Sequence, residues 1–134
     1  DNTPQALFQD LPPFDGESIL VAEDNPINAL LLKKYLKTWA LNPTMVVNGK
    51  EAVDMLKKHS FDLIILDTRM PEMDGLDATR IIKEVNPDVP IIALSAYAFE
   101  ENIREAQAAG CNGFLSKPFR VEDLLDKIHN YLTE

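Results

Sequence analysis

The chain has 134 residues, one domain's worth, and its 46% hydrophobic and 26% charged content is that of a folded globule rather than a disordered chain. No apolar run approaches the roughly 18 residues a bilayer span needs, and the acidic start is unlike a signal peptide. Twenty-two acids against 13 bases give a net charge of −9, which repels nucleic-acid phosphates, and the single cysteine, Cys111, excludes a disulfide framework and a cysteine-based zinc site.

Residues 1–18 hold three of the nine prolines (Pro4, Pro12 and Pro13) and show no apolar periodicity. They are expected to form a linker or arm, with Leu7, Phe8, Leu11 and Phe14 open to docking on a surface. From Ile19 onward, short apolar runs alternate with helical patterns. The runs Ile19–Ala22, Thr44–Val47, Leu63–Leu66, Ile91–Leu94 and Phe114–Leu115 read as strands buried on both faces. Asn25 and Pro26 suit the cap and first turn of a helix reaching Trp39. Gly110 suits the left-handed stop of an Ala-rich helix over Glu101–Ala109, whose only large apolar anchor is Ile103. Val121, Leu124, Leu125, Ile128 and Leu132 follow the spacing of one buried helix face.

Strand and helix thus alternate five times. Right-handed crossovers then predict an α/β, doubly wound domain, a parallel sheet with helices on both faces. Sites in such sheets form beyond the carboxyl ends of the strands, where strand order reverses. Glu23 and Asp24 follow the first run, Asp67 the third, Ser95 the fourth and Lys117 the fifth. Carboxylates held close together repel one another unless a cation intervenes. One lysine cannot balance three acids, so a hard divalent ion such as magnesium is the natural complement, with Asp24 and Asp67 as direct ligands, Glu23 direct or through water, and the Arg69 backbone carbonyl in the turn beyond. The absence of histidine and cysteine from the set argues against zinc or copper. With an ion polarising phosphoryl oxygens, Asp67 is the best-placed nucleophile toward phosphorus, and Lys117 and Ser95 could bind the group it gains.

Taken in order, the segments Ile19-Leu-Val-Ala-Glu-Asp-Asn, Leu63-Ile-Ile-Leu-Asp-Thr-Arg-Met-Pro-Glu-Met-Asp-Gly, Ile91-Ile-Ala-Leu-Ser-Ala and Phe114-Leu-Ser-Lys-Pro-Phe resemble response-regulator receiver domains of two-component signalling, most of all the C-terminal receivers of hybrid sensor histidine kinases. The resemblance implies a flavodoxin-like, five-stranded sheet of order 2-1-3-4-5 over residues 19–134, with 1–18 as the arm. It implies Asp67 as phosphoacceptor from a phosphohistidine, Glu23 and Asp24 with the Arg69 carbonyl around Mg2+ (Mn2+ able to substitute), and Lys117 as the conserved-type lysine. It further implies Ser95 and Phe114 as the moving switch residues and a cis peptide before Pro118. The partner implied is a histidine kinase or histidine-phosphotransfer domain, with a homodimer on phosphorylation left open. No direct nucleic-acid or membrane contact by the domain is expected. A cytoplasmic setting fits the lone thiol, and the expected context is a hybrid kinase whose parent chain is free to be membrane-anchored.

Blander readings exist. Glu23 and Asp24 could cap the following helix, and Asp67 with Lys117 could be a plain ion pair, but neither accounts for Ser95. His59 and His129 fall on helices away from the strand ends and receive no catalytic role. Tyr97 and Arg69 flank the site and could tune water access, and so the lifetime of a phosphoryl bond. A phosphatase or mutase needs a general acid where Arg69 stands. A binding module without the switch would not need the full set. Nucleotide binding lacks both the G-x-x-x-x-G-K-[ST] and the G-x-G-x-x-G loop.

Overall fold

The structure, a computed structural model, describes residues 14–132. Five strands, β1 (Ser18–Ala22), β2 (Asn42–Val46), β3 (Leu63–Asp67), β4 (Ile91–Ser95) and β5 (Gly113–Ser116), alternate with helices α1 (Pro26–Thr38), α2 (Gly49–Lys58), α3 (Gly75–Val85), α4 (Glu100–Ala109) and α5 (Val121–Leu132). All pairings are parallel, and the strand order is β2-β1-β3-β4-β5. This is the doubly wound sheet the pattern predicts, in the flavodoxin-like strand order the resemblance implies.

Successive strand residues point to opposite faces, so each buried strand feeds two cores. On one face Leu20, Ala22, Ile64, Leu66 and Ala93 meet Ala52, Val53 and Leu56 of α2, Ala78 and Ile82 of α3, and Ala106 of α4. On the other, Ile19, Val21, Leu63, Ile65, Ile92 and Leu94 meet Leu32 and Leu36 of α1 and Leu124 and Ile128 of α5. Every residue of β3 and β4 is buried, which is why those runs carry no polar alternation until their last positions, Asp67 and Ser95.

Local chemistry sets the helix starts beside the strand ends. The Asn25 side chain accepts from the amides of Ile27 (2.9 Å) and Asn28 (3.1 Å), with Pro26 in the first turn. Asn48 and Asp74 cap α2 and α3 through Glu51 N and Asp77 N. Gly110, at φ 116°, closes α4 in the left-handed region.

Three details depart from the sequence expectations. β2 begins at Asn42 rather than Thr44, because it is an edge strand paired only with β1, where a proline such as Pro43 needs no donor on its open side. α4 rests on Ala106 and Ala109, with Ile103 only half-buried, since small residues let the helix sit close to the sheet. Phe14 is 7% exposed and packs with the α1–α5 core, its ring 6.1 Å from that of His129, and Ser18 already belongs to β1. Residues 1–13 of the expected arm lie outside the described residues.

Gly75 ties the fold to the site. A methyl group there would overlap the carbonyl oxygen of Asp67 and stand 2.6 Å from Leu66 Cδ1. Gly75→Ala is therefore expected to destabilise the domain by about 2 kcal/mol, as overpacking does, and to displace the end of β3, measurable by denaturant unfolding.

Candidate functional site

The strand order reverses between β1 and β3, and the carboxyl ends of those strands carry Glu23, Asp24 and Asp67. Each of the three offers an oxygen, and these oxygens lie within 4.8 Å of one another. Glu23 and Asp67 are buried, whereas Asp24 is exposed. Lys117, just past β5, bridges the two buried acids: its Nζ donates to Glu23 Oε1 and to Asp67 Oδ2, both at 2.8 Å. The second oxygen of each is met by backbone, Glu23 Oε2 by Asn25 N at 3.2 Å and Asp67 Oδ1 by Arg69 N at 2.9 Å. The peptide between Lys117 and Pro118 is cis.

Glu23 and Lys117 both shift upward, for different reasons. Burial raises the Glu23 carboxyl above its usual range, and the charge of Asp67 adds to it; Lys117 and the Asn25 amide offset only part. Burial alone would lower the Lys117 ammonium, but its hydrogen bonds to Asp67 and Glu23, and their charges, overcome that and raise it. The lysine has two carboxylates, while Glu23 shares that one ammonium with Asp67, a second acid that repels it. The cluster is thus acidic in excess, and its donors are all hard oxygens. Such a set fits a hard divalent cation and could hold one through Glu23, Asp24 and Asp67.

Ser95 ends β4 on the same edge, but its hydroxyl turns into its own loop. Ser95 Oγ donates to Tyr97 O (3.1 Å) and accepts from Tyr97 N (3.0 Å). Arg69 lays its guanidinium over the Tyr97 ring, 4.5 Å from the centroid, so that the loop after β3 and the loop after β4 are tied together. Beneath them a cleft of about 350 Å³ is lined by Ser95, Phe114, Met70 and Asn102, among others. Phe114, on β5, is half-buried against the α2–α4 core. The structure therefore gathers Glu23, Asp24, Asp67 and Lys117 into one cluster and sets Ser95 and Phe114 around an adjoining cleft. His59 and His129 belong to neither group. Sequence reasoning missed Asn102, whose Oδ1 is buried in that cleft with no partner among the described residues. A single Asn on a polar helix gives no signal of this.

A doubly wound sheet with an acidic, lysine-bridged cluster at its switch point fits the receiver class. A family model for the response regulator receiver domain matches residues 19–129. The chain is 36% identical over 129 residues to the autoinducer 2 sensor kinase/phosphatase LuxQ of Vibrio vulnificus, covering 96% of this chain but 14% of that protein. It is 30% identical over 118 residues to the polar-differentiation response regulator DivK of Brucella anthropi, covering 87% of this chain and 96% of that one. Among solved structures, the receiver domain of the sensor histidine kinase PA1611 from Pseudomonas aeruginosa, with a magnesium ion coordinated in its active site cleft, superposes with a TM-score of 0.84 at 34% identity, covering 89% of this chain and 99% of that. A chain of the co-crystal structure of the Saccharomyces cerevisiae histidine phosphotransfer protein Ypd1 with the receiver domain of Ssk1 gives 0.84 at 29% identity, with 90% and 91% covered. The chain belongs to the response regulator receiver domain family of two-component signalling. No described helix is long and apolar enough to cross a membrane.

Proposed function

We propose that Asp67 accepts a phosphoryl group from a phosphohistidine and that the domain is a switch within a phosphorelay rather than an enzyme with an external substrate. The observation that carries this reading is Asp67 itself, a carboxylate at the end of a central strand with one oxygen on Lys117 and the other on its own loop amide, beside two further acids. In the transfer a carboxylate oxygen of Asp67 attacks phosphorus as the P–N bond breaks. The electron pair of that bond stays on the departing imidazole, which leaves neutral if its other ring nitrogen carries a proton. Lys117 would hold the phosphoryl oxygens as it now holds Asp67 Oδ2. Glu23, Asp24 and Asp67, with the Arg69 carbonyl, would hold Mg2+ or Mn2+, which when bound shields the developing charge on the phosphoryl oxygens. Ser95 would leave its loop to meet the new group and Phe114 would move into the adjoining cleft, altering the surface a partner reads. Residues 19–134 would form this switch together with Phe14 and Ser18, which pack into the domain, and the chain spans 14% of LuxQ.

Incubation with acetyl phosphate and magnesium, followed by intact-mass measurement, tests the reading. A mass increment of one phosphoryl group is expected, and its absence at saturating donor would count against it.

An exposed apolar face next to the site supports a protein donor. Ile27 and Leu30 of α1 are 71% and 68% exposed, and beside them a groove of about 360 Å³ runs from Leu31 and Tyr35 to Lys117 and Phe119. An apolar face so close to the acceptor suits the helix surface of a histidine kinase or histidine-phosphotransfer domain. Replacing Ile27 and Leu30 together by Glu is expected to slow transfer from a protein donor by roughly tenfold or more while leaving acetyl phosphate labelling unchanged, because a small donor needs no docking face.

A further inference from the structure

The contact between Arg69 and Tyr97 carries more than shape. Arg69 follows the acceptor by two residues, and its amide is already bonded to Asp67 Oδ1. Its guanidinium, however, is committed to the face of Tyr97, a ring that is 45% exposed. The backbone of Tyr97 is in turn what occupies the Ser95 hydroxyl, through both its N–H and its carbonyl. One arginine therefore clasps the loop that keeps Ser95 turned away from the acidic cluster.

Charge bookkeeping says what opens the clasp. Three carboxylates would be offset by Lys117 and a bound divalent ion. Conversion of the Asp67 carboxylate to an acyl phosphate adds roughly one further negative charge together with three acceptor oxygens. A guanidinium matches phosphate oxygens with paired, charge-assisted hydrogen bonds, which are stronger than its attraction to an exposed ring.

We propose that Arg69 is a two-partner latch: before phosphorylation it holds Tyr97, and afterwards it moves to the phosphoryl oxygens, freeing the loop that carries Ser95. This deepens the reading of Asp67 as phosphoacceptor and rests on it. The latch makes Arg69 a positioning residue in the resting state and a ligand of the phosphoryl group in the other. Its signature is that the two halves of one contact have opposite effects. Removing the ring releases an arginine for the phosphoryl group, whereas removing the arginine takes that ligand away.

The experiment titrates the magnesium-loaded domain with beryllofluoride, a phosphoryl mimic that binds carboxylates, for wild type, Tyr97→Leu, Arg69→Ala, Arg69→Lys and the double variant. Both side chains are exposed, so all variants are expected to fold as the wild type does, which thermal unfolding verifies. Tyr97→Leu should bind the mimic roughly two- to fivefold more tightly, the worth of an exposed cation–π contact. Arg69→Ala should bind it roughly tenfold more weakly, the worth of a charge-assisted hydrogen bond, with Arg69→Lys regaining part of the loss. The double variant should match Arg69→Ala alone. In NMR spectra the ring-current shift of the Arg69 side chain by Tyr97 should vanish when wild type takes up the mimic. Shifts of affinity in the same direction for Tyr97→Leu and Arg69→Ala, or an arginine that stays on the ring in the bound state, would overturn the latch alone. A wild type that binds no mimic and gains no phosphoryl mass would overturn the phosphoacceptor reading, and the latch with it.

Discussion

Asp67→Asn is expected to abolish phosphorylation by acetyl phosphate and by any protein donor, with no phosphoryl mass increment at any donor concentration. The amide oxygen of Asn is a poor nucleophile and carries no negative charge to offer phosphorus. The change is nearly isosteric, so the buried position, next to Leu66 in the chain and paired with Leu94 of β4, is preserved. Metal binding is expected to weaken by roughly tenfold or more, since one of three hard charged ligands is lost. Glu23 responds as well. Burial first, and the Asp67 charge second among the raising causes, hold its carboxyl above the ordinary range, so the neutral Asn brings it part of the way back. Mass spectrometry after labelling and calorimetric titration with magnesium check the two halves. A phosphoryl increment retained in Asp67→Asn would place the acceptor on another side chain.

Much of this architecture is legible because buried parallel strands write themselves as unbroken apolar runs. Leu63–Leu66 and Ile91–Leu94 are legible for that reason, and the polar residue that ends each run marks the edge where a site can form. The convergence of Glu23, Asp24, Asp67 and Lys117 on one cluster follows from topology, because β1 and β3 are neighbours and strand ends share an edge. The less legible parts depend on contacts that no periodicity encodes. Asn42 and Pro43 precede the apolar run that starts at Thr44, and only the edge position of β2 makes them strand. Phe14 lies in a proline-rich stretch with no pattern of its own, yet its burial is decided by a partner far away on α5. Which way Ser95 turns, and the stacking of Arg69 on Tyr97, join loops from different strands and are settled only when both are in place.

Lys117→Met is expected to be the most destabilising single change at the site. Met keeps the length and the apolar stem but leaves Glu23 and Asp67 facing each other without a cation, Glu23 being only 1% exposed. Stranding buried carboxylates in this way costs about 3 kcal/mol at neutral pH in the metal-free protein. The pH dependence has a definite sign. Lys117 is held above its ordinary value, so its own contribution is complete below the unfolded lysine value of about 10.4 and fades only as pH rises through the folded one. Glu23 behaves differently. Its raised carboxyl contributes best below the unfolded glutamate value and loses that contribution as pH climbs through the folded value, and without Lys117 it is raised further. The deficit of Lys117→Met should therefore be small in acid, where Glu23 carries its proton, and grow toward neutral pH. Added magnesium should recover part of the lost stability, because it supplies positive charge to the same oxygens. It should not recover phosphorylation, which is expected to slow by roughly a hundredfold, the usual loss when one donor to a developing oxyanion is removed. Urea unfolding of wild type and variant across pH, with and without magnesium, measures the first effect, and the rate of mass gain measures the second. A deficit that stayed constant from acid to neutral pH would show that Lys117 stabilises the fold through packing alone and not through the two carboxylates it joins.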